Sequence, residues 1–171
     1  MNRNLSLILI LLLGLGLVFG AAGCSDDDDD NDPTTPVVEE DPWIGVWRSE
    51  GANVAPLVYA DPVNVDIAEA TFNADGTISL YQHNHVTDAW STNPGTYTIT
   101  ESATGDIHSI SISYTNPAFD QLGIIQVIDG TPDTMKLEVV ISTYTTVPNP
   151  TGGFGADGVL GDLNIQTYVK Q

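Results

Sequence analysis

Three histidines, one cysteine and an excess of carboxylates are the groups through which this chain could do chemistry. His83 and His85 stand two apart, so a strand would project both from one face, and His108 would be a third ligand for a zinc-type ion. The surrounding pattern works against it. His83 keeps step with Tyr81 on a wet face, whereas His108 keeps step with Ile110 and Ile112 on an apolar one, and ligands on opposite faces do not converge. Calcium fares no better: the EF-hand spacing is absent, and Asp75 and Asp157 each precede a glycine in turns that need no ion. The chain also lacks a Gly-x-Ser-x-Gly elbow and a glycine-rich phosphate loop. Glu69 and Glu138 illustrate the kind of carboxylate pair that a barrel could set face to face for glycoside hydrolysis. The expectation is a non-catalytic protein with no metal and no cofactor.

Cys24 follows a greasy run and precedes five consecutive aspartates. The chain starts with Arg3 as its one early charge and continues with about eighteen apolar or small residues ending in Ala21-Ala22-Gly23. That is the layout of a secretory signal peptide, although a run of this length could also just cross a bilayer as a helix. Gly14, Gly16 and Gly20 weaken such a helix. The arrangement resembles the lipobox of bacterial lipoproteins, with Ala21 where leucine is most common. It implies that residues 1–23 are removed and that Cys24 carries lipid, whose acyl chains contribute ~0.8 kcal/mol per buried CH₂ to membrane anchoring. With its only thiol consumed, the domain has no disulfide and relies on its core.

Residues 24–42 combine the acidic run with Pro33, Pro36 and Pro42, which makes them an extended, disordered tether. The stretch CSDDDDD resembles the acidic tract of lipoproteins exported to the surface of some Gram-negative bacteria. That implies an outer-membrane, lipid-anchored and surface-exposed location. The whole chain carries a formal net charge of -19. From Trp43 onward, fourteen acidic residues stand against three basic ones (Arg48, Lys136, Lys170), a net charge of -11. Nucleic acid binding rests on Lys and Arg neutralising phosphate, so that class is excluded.

About 129 residues remain behind the tether, one ordinary domain. Their dominant signal is alternation. TISLY (77–81), TYTIT (96–100), IHSISISY (107–114) and MKLEVVIS (135–142) each give one apolar and one wet face. In LNIQTYVKQ (163–171) the apolar parity is that of Leu163, Ile165, Thr167 and Val169. Turn signals recur near every ten residues, at NADG (73–76), NPG (93–95), SATGD (102–106), DGTPD (129–133) and the long stretch 147–162. With further strands near 44–49, 64–72 and 123–128, about eight antiparallel strands result. They suit an up-and-down barrel, and pattern alone fits a β-sandwich as well.

Gly45-Val46-Trp47 is the Gly-x-Trp that opens the first strand of lipocalins. ATFNADGTISLY followed by GTYTI, with NIQTYVKQ at the end, resembles bacterial lipocalin-like lipoproteins over residues 43–171. The second lipocalin signature around Thr-Asp-Tyr is absent, and no arginine near the end of the last strand is available to stack on Trp47; Lys170 and Arg48 are the candidates to replace it. The resemblance implies a lipocalin-like eight-stranded barrel, plugged at one end by Gly45 and Trp47. Such a barrel is filled by its side chains or holds one small ligand. The inward candidates are Ile78, Leu80, Tyr97, Ile99, Ile110, Ile112, Tyr114, Leu137, Val139 and Ile141. Trp90 and Phe154, both read as loop aromatics, would mark a binding mouth if they came together. The leading expectation is a small, mainly apolar ligand held in or at the mouth of the barrel, in a void of roughly 300 Å³ or more. The rival is a filled barrel serving as a surface structural or protein/glycan interaction module.

Overall fold

The computed structural model describes residues 40–156 and 158–171; the expected signal peptide, Cys24, nearly all of the tether, and Asp157 lie outside the described residues. Eight strands follow one another around a closed antiparallel barrel: β1 (Gly45–Glu50), β2 (Val65–Phe72), β3 (Thr77–Asn84), β4 (Ala89–Thr100), β5 (His108–Thr115), β6 (Ala118–Ile128), β7 (Thr134–Ile141) and β8 (Ile165–Lys170). Strand β8 closes on β1 through the pairs Trp47–Lys170 and Arg48–Val169. The alternation therefore resolves as the up-and-down barrel and not as the sandwich.

Up-and-down connection sorts the loops to two ends. At one end lie Trp43, the β2–β3, β4–β5 and β6–β7 turns and the chain terminus; this is the tryptophan end. At the other lie the β1–β2 connection with the short helix α1 (Pro56–Tyr59), the β3–β4 and β5–β6 turns, and the long β7–β8 connection ending in a 3-10 turn (Gly161–Asn164). This is the helix end. The β2–β3 hairpin forms as its Asp-Gly pair predicts: Gly76 has φ +80°, and Asp75 Oδ1 accepts from the Thr77 amide at 2.9 Å.

Inside, Trp47, Ala68, Ala70, Phe72, Ile78, Ile110, Ile112, Ile125 and Met135 form a buried cluster toward the tryptophan end and the middle of the barrel. The indole N–H of Trp47 donates to the Trp43 carbonyl at 2.7 Å, and Lys170 Nζ lies 5.2 Å from the ring centre. Arg48 points outward instead, to Glu50 at 2.9 Å and Glu69 at 3.7 Å. Gly45 adopts φ +125° with Lys170 Cε close beside it, a backbone state that explains why glycine opens this strand.

Two sequence expectations are corrected by backbone geometry. Asn93-Pro94-Gly95 is no turn but the middle of β4, with Pro94 opposite Ser79 and Gly95 opposite Tyr114. A Cβ on Gly95 would strike the Ser113 carbonyl, so the glycine permits close strand approach rather than a chain reversal. The real turn lies earlier, where Asn84 Oδ1 accepts from the amides of Val86 and Thr87 and Asp88 takes φ +54°. Trp90 accordingly sits in β4, not on a loop.

The last strand has the opposite parity to the one expected. Gln166 and Tyr168 turn inward, opposite Leu137 and Met135, while Ile165 and Val169 face out. The cause is the β7–β8 connection, which lies over the outer wall. Gly155 N–H donates to Glu138 Oε2 at 2.8 Å, Lys136 Nζ stands 5.9 Å from the Phe154 ring centre, and Ile124, Glu138 and Val140 are buried on outward parity. Where both faces of a strand are covered, alternation no longer reports the inside. The same register sends Glu69 and Glu138 outward on separate walls, so they do not form a pair across the interior. Ile141, expected inside, is half exposed at the strand end.

Candidate functional site

The barrel interior is filled near Trp47 and opens into a chamber of about 100 Å³ beneath α1 and the 3-10 turn. That is smaller than the void expected, and its lining differs in kind. Val58, Leu80, Leu137 and Val139 supply the apolar part. The polar part is uncharged throughout: the amides of Gln82, Gln121, Asn164 and Gln166 and the phenols of Tyr114 and Tyr168.

Strand register converges these groups. Leu80 and Gln82 alternate along β3, Leu137 faces Gln166 across β7 and β8, and Gln121 follows Phe119 on the inward row of β6. Asn164 arrives from the 3-10 turn that leads into β8. Both side-chain polar atoms of Asn164, and Gln166 Nε2, are buried without a hydrogen-bond partner. Gln166 is 7% exposed. Each such orphaned group costs about 1–3 kcal/mol if nothing satisfies it. Burial pushes the phenols of Tyr114 and Tyr168 well above the ordinary tyrosine range, so both stay neutral donors at any physiological pH.

Of the predicted ligand-lining residues, Leu80, Tyr114, Leu137 and Val139 line this chamber. Ile78, Tyr97, Ile99, Ile110 and Ile112 belong to the packed core, and the Tyr97 hydroxyl is committed to the Asn73 carbonyl at 2.8 Å. Sequence reasoning missed the amides and Tyr168. For Gln82 the signal was there, two residues after Leu80 on the inward row; for Gln166 and Tyr168 it was hidden by the reversed apolar parity of β8.

Two further hollows lie apart from this chamber. One, of about 380 Å³, opens at the tryptophan end between Trp43, His108, Val127 and the turn residues Asp106 and Asp129. Among the described residues it presents no orphaned buried group, since His108 Nδ1 already accepts from the Ser102 amide at 3.1 Å. The other, of about 320 Å³, is a groove on the outer wall between Thr98, Ser109, Ser111 and the 147–149 segment. Both exceed the chamber in volume, yet neither aims unsatisfied groups at an occupant.

The histidines go to three places. His83 lies on the outer wall with Nδ1 2.7 Å from Asp66 and Nε2 3.1 Å from Asp88, its ring 4.7 Å from Trp90. The Asp66 carboxylate foremost, with Asp88 adding to it, raises its pKa. His85 stacks on Tyr59 at 4.6 Å, and His108 meets Trp43 edge-on at the opposite end. Trp90 stacks on Tyr81 at 4.6 Å, whereas Phe154 covers Lys136 on the far wall, so the two aromatics do not build a common mouth. Among the described residues, no group of three His, Cys, Asp or Glu side chains is placed to hold a metal ion. Comparison with protein-family models, with curated proteins and with solved structures finds no match for this chain.

Proposed function

We propose that this protein is a non-catalytic binding lipoprotein, held on the outer membrane through lipid at Cys24, which takes one small uncharged molecule into the chamber at the helix end of its barrel. The observation that carries the reading is the set of orphaned buried amide atoms on Asn164 and Gln166, facing a space with no ionised lining group. A ligand accepting from the two amide N–H groups, through one oxygen or two, and donating once to the Asn164 carbonyl would satisfy them. A charged ligand would lose its hydration with no counter-charge to replace it. The apolar side formed by Val58, Leu80, Leu137 and Val139 suits a short hydrocarbon portion, so the ligand is amphiphilic rather than purely apolar. Its size falls below the drug-like class, whose pockets run to about 300–1,000 Å³. The signal-like start, Cys24 and the acidic stretch behind it support the anchored location.

Native mass spectrometry of the protein extracted from its own membranes tests this. The expected result is a non-covalent adduct of small neutral mass that disappears from an Asn164→Leu/Gln166→Leu variant. An adduct unaffected by that variant, or the absence of any adduct, would count against the chamber.

A further inference from the structure

The helix end carries an apolar collar that the fold does not use. Leu57 and Tyr59 in α1, Val63 just after it, Val86 in the β3–β4 turn, Ile141 at the end of β7 and Leu163 in the 3-10 turn are 39% to 66% exposed. They all lie at this one end of the barrel. Helix α1 packs against the 3-10 turn, and the ring of His85 stacks on Tyr59, which ties the β3–β4 turn to α1. At the tryptophan end the corresponding large exposed apolar residue is Ile128.

Charge is as unevenly placed as apolar surface. Asp61, Asp88, Asp120 and Asp162 stand exposed in the connections or strand ends of the collar region. The three basic residues of the domain lie elsewhere: Arg48 is bonded to Glu50 and Glu69 on the β1–β2 wall, Lys136 lies beside Phe154, and Lys170 sits over Trp47 at the other end. The collar is therefore apolar and acidic, with no Lys or Arg of its own among the described residues; of its aspartates, Asp88 already has the His83 ring 3.1 Å away, and Asp61, Asp120 and Asp162 have no cationic partner there.

From this combination we infer that the collar docks a basic amphipathic segment of another polypeptide, apolar side chains seated among Leu57, Val86 and Ile141 and Lys or Arg opposite the surrounding aspartates. A second copy of this chain fits poorly, because two domains of net charge -11 would bring acidic rims together. A membrane surface fits poorly too, since interfacial docking draws on Lys and Arg around the apolar patch and this rim has none. The docking face is separate from the chamber lining, so it stands or falls independently of the proposed ligand.

Isothermal titration with three synthetic probes tests it: a helical peptide of about 18 residues with leucine on one face and lysine on the other, the same peptide with glutamate for lysine, and an oligolysine of equal charge. The leucine–lysine peptide is expected to bind with Kd of about 10 μM or tighter at low salt, and the other two at least tenfold more weakly. A Val86→Ser/Ile141→Ser variant should lose tenfold or more, while Asp106→Asn/Asp129→Asn, which removes two charges at the opposite end, should stay within about twofold. All four positions are exposed, so circular dichroism unchanged from the parent accompanies each variant. Equal binding of the glutamate peptide, indifference to the collar variant, rim-dependent dimerisation, or rim-dependent binding to phosphatidylcholine vesicles in place of the peptide would overturn the inference.

Discussion

Trp47 lies in the buried core toward one end of the barrel, and its replacement tests the expectation that it plugs that end. The side chain is fully buried, its N–H satisfies the Trp43 carbonyl at 2.7 Å, and the Lys170 ammonium lies 5.2 Å from its ring. Truncation to alanine removes the packing, worth about 3–5 kcal/mol for a buried aromatic. It also strips the Trp43 carbonyl of its donor, which adds to the cost. Trp47→Phe separates the contributions, because the ring area largely remains while the donor is gone; about 1–2 kcal/mol is expected. Urea unfolding followed by far-ultraviolet circular dichroism reads both. With m near 2 kcal/mol per molar, Trp47→Ala lowers the midpoint by about 2 M and Trp47→Phe by less than about 1 M. Domains of this kind hold only about 5–15 kcal/mol in total, so an alanine variant that never folds agrees with the account, and the phenylalanine variant then supplies the reading. A Trp47→Ala loss below about 1 kcal/mol, or a phenylalanine variant as damaged as the alanine one, would refute the plug.

Other consequences concern a charge pair, a strand contact and the anchor. The raised pKa of His83 means that its ion pairs with Asp66 and Asp88 contribute stability fully below pH 6.5, and that this is lost as pH rises through the folded-state pKa. An NMR titration of the His83 ring should therefore give a midpoint above 6.5, lowered by Asp66→Asn; a midpoint at or below 6.5 would contradict the geometry. Gly123→Ala drives a Cβ into the Glu138 carbonyl and should cost about 1–3 kcal/mol in urea unfolding, whereas Gly158→Ala, with open space around it, should stay within about 0.5 kcal/mol. Cys24→Ser should move the protein from the membrane to the soluble fraction on cell fractionation; continued membrane retention would point to an uncleaved apolar segment.

The barrel was legible because strands such as β2, β3 and β5 present one dominant parity. Ile110, Ile112 and Tyr114 face in while Ser109, Ser111 and Ser113 face out, and the Asp75-Gly76 hairpin stands where its residues place it. Legibility failed where a second layer or a close contact intervened. Pro94-Gly95 has turn composition but serves a strand, because Gly95 must let the Ser113 backbone approach. On β6, β7 and β8 the covering 142–164 connection buries Ile124, Glu138 and Val140 from outside, so apolar residues no longer mark the interior there. Gln166 and Tyr168 of the chamber were hidden for the same reason, since they occupy inward positions of β8 that alternation assigns to the wet side. Where alternation predicts an apolar pocket, the barrel holds a filled core with a small chamber of mixed apolar and uncharged polar lining above it.

That chamber admits a direct measurement. Saturation-transfer NMR with N-methylacetamide, acetate and methylammonium, all of similar size, compares a neutral hydrogen-bonding probe with two ions. Transfer is predicted to N-methylacetamide alone, and to vanish in the Asn164→Leu/Gln166→Leu variant, which should be at least as stable as the parent because no orphaned amide remains at those positions. Equal transfer to the ions, or transfer that survives in the variant, would contradict a neutral ligand site inside the barrel.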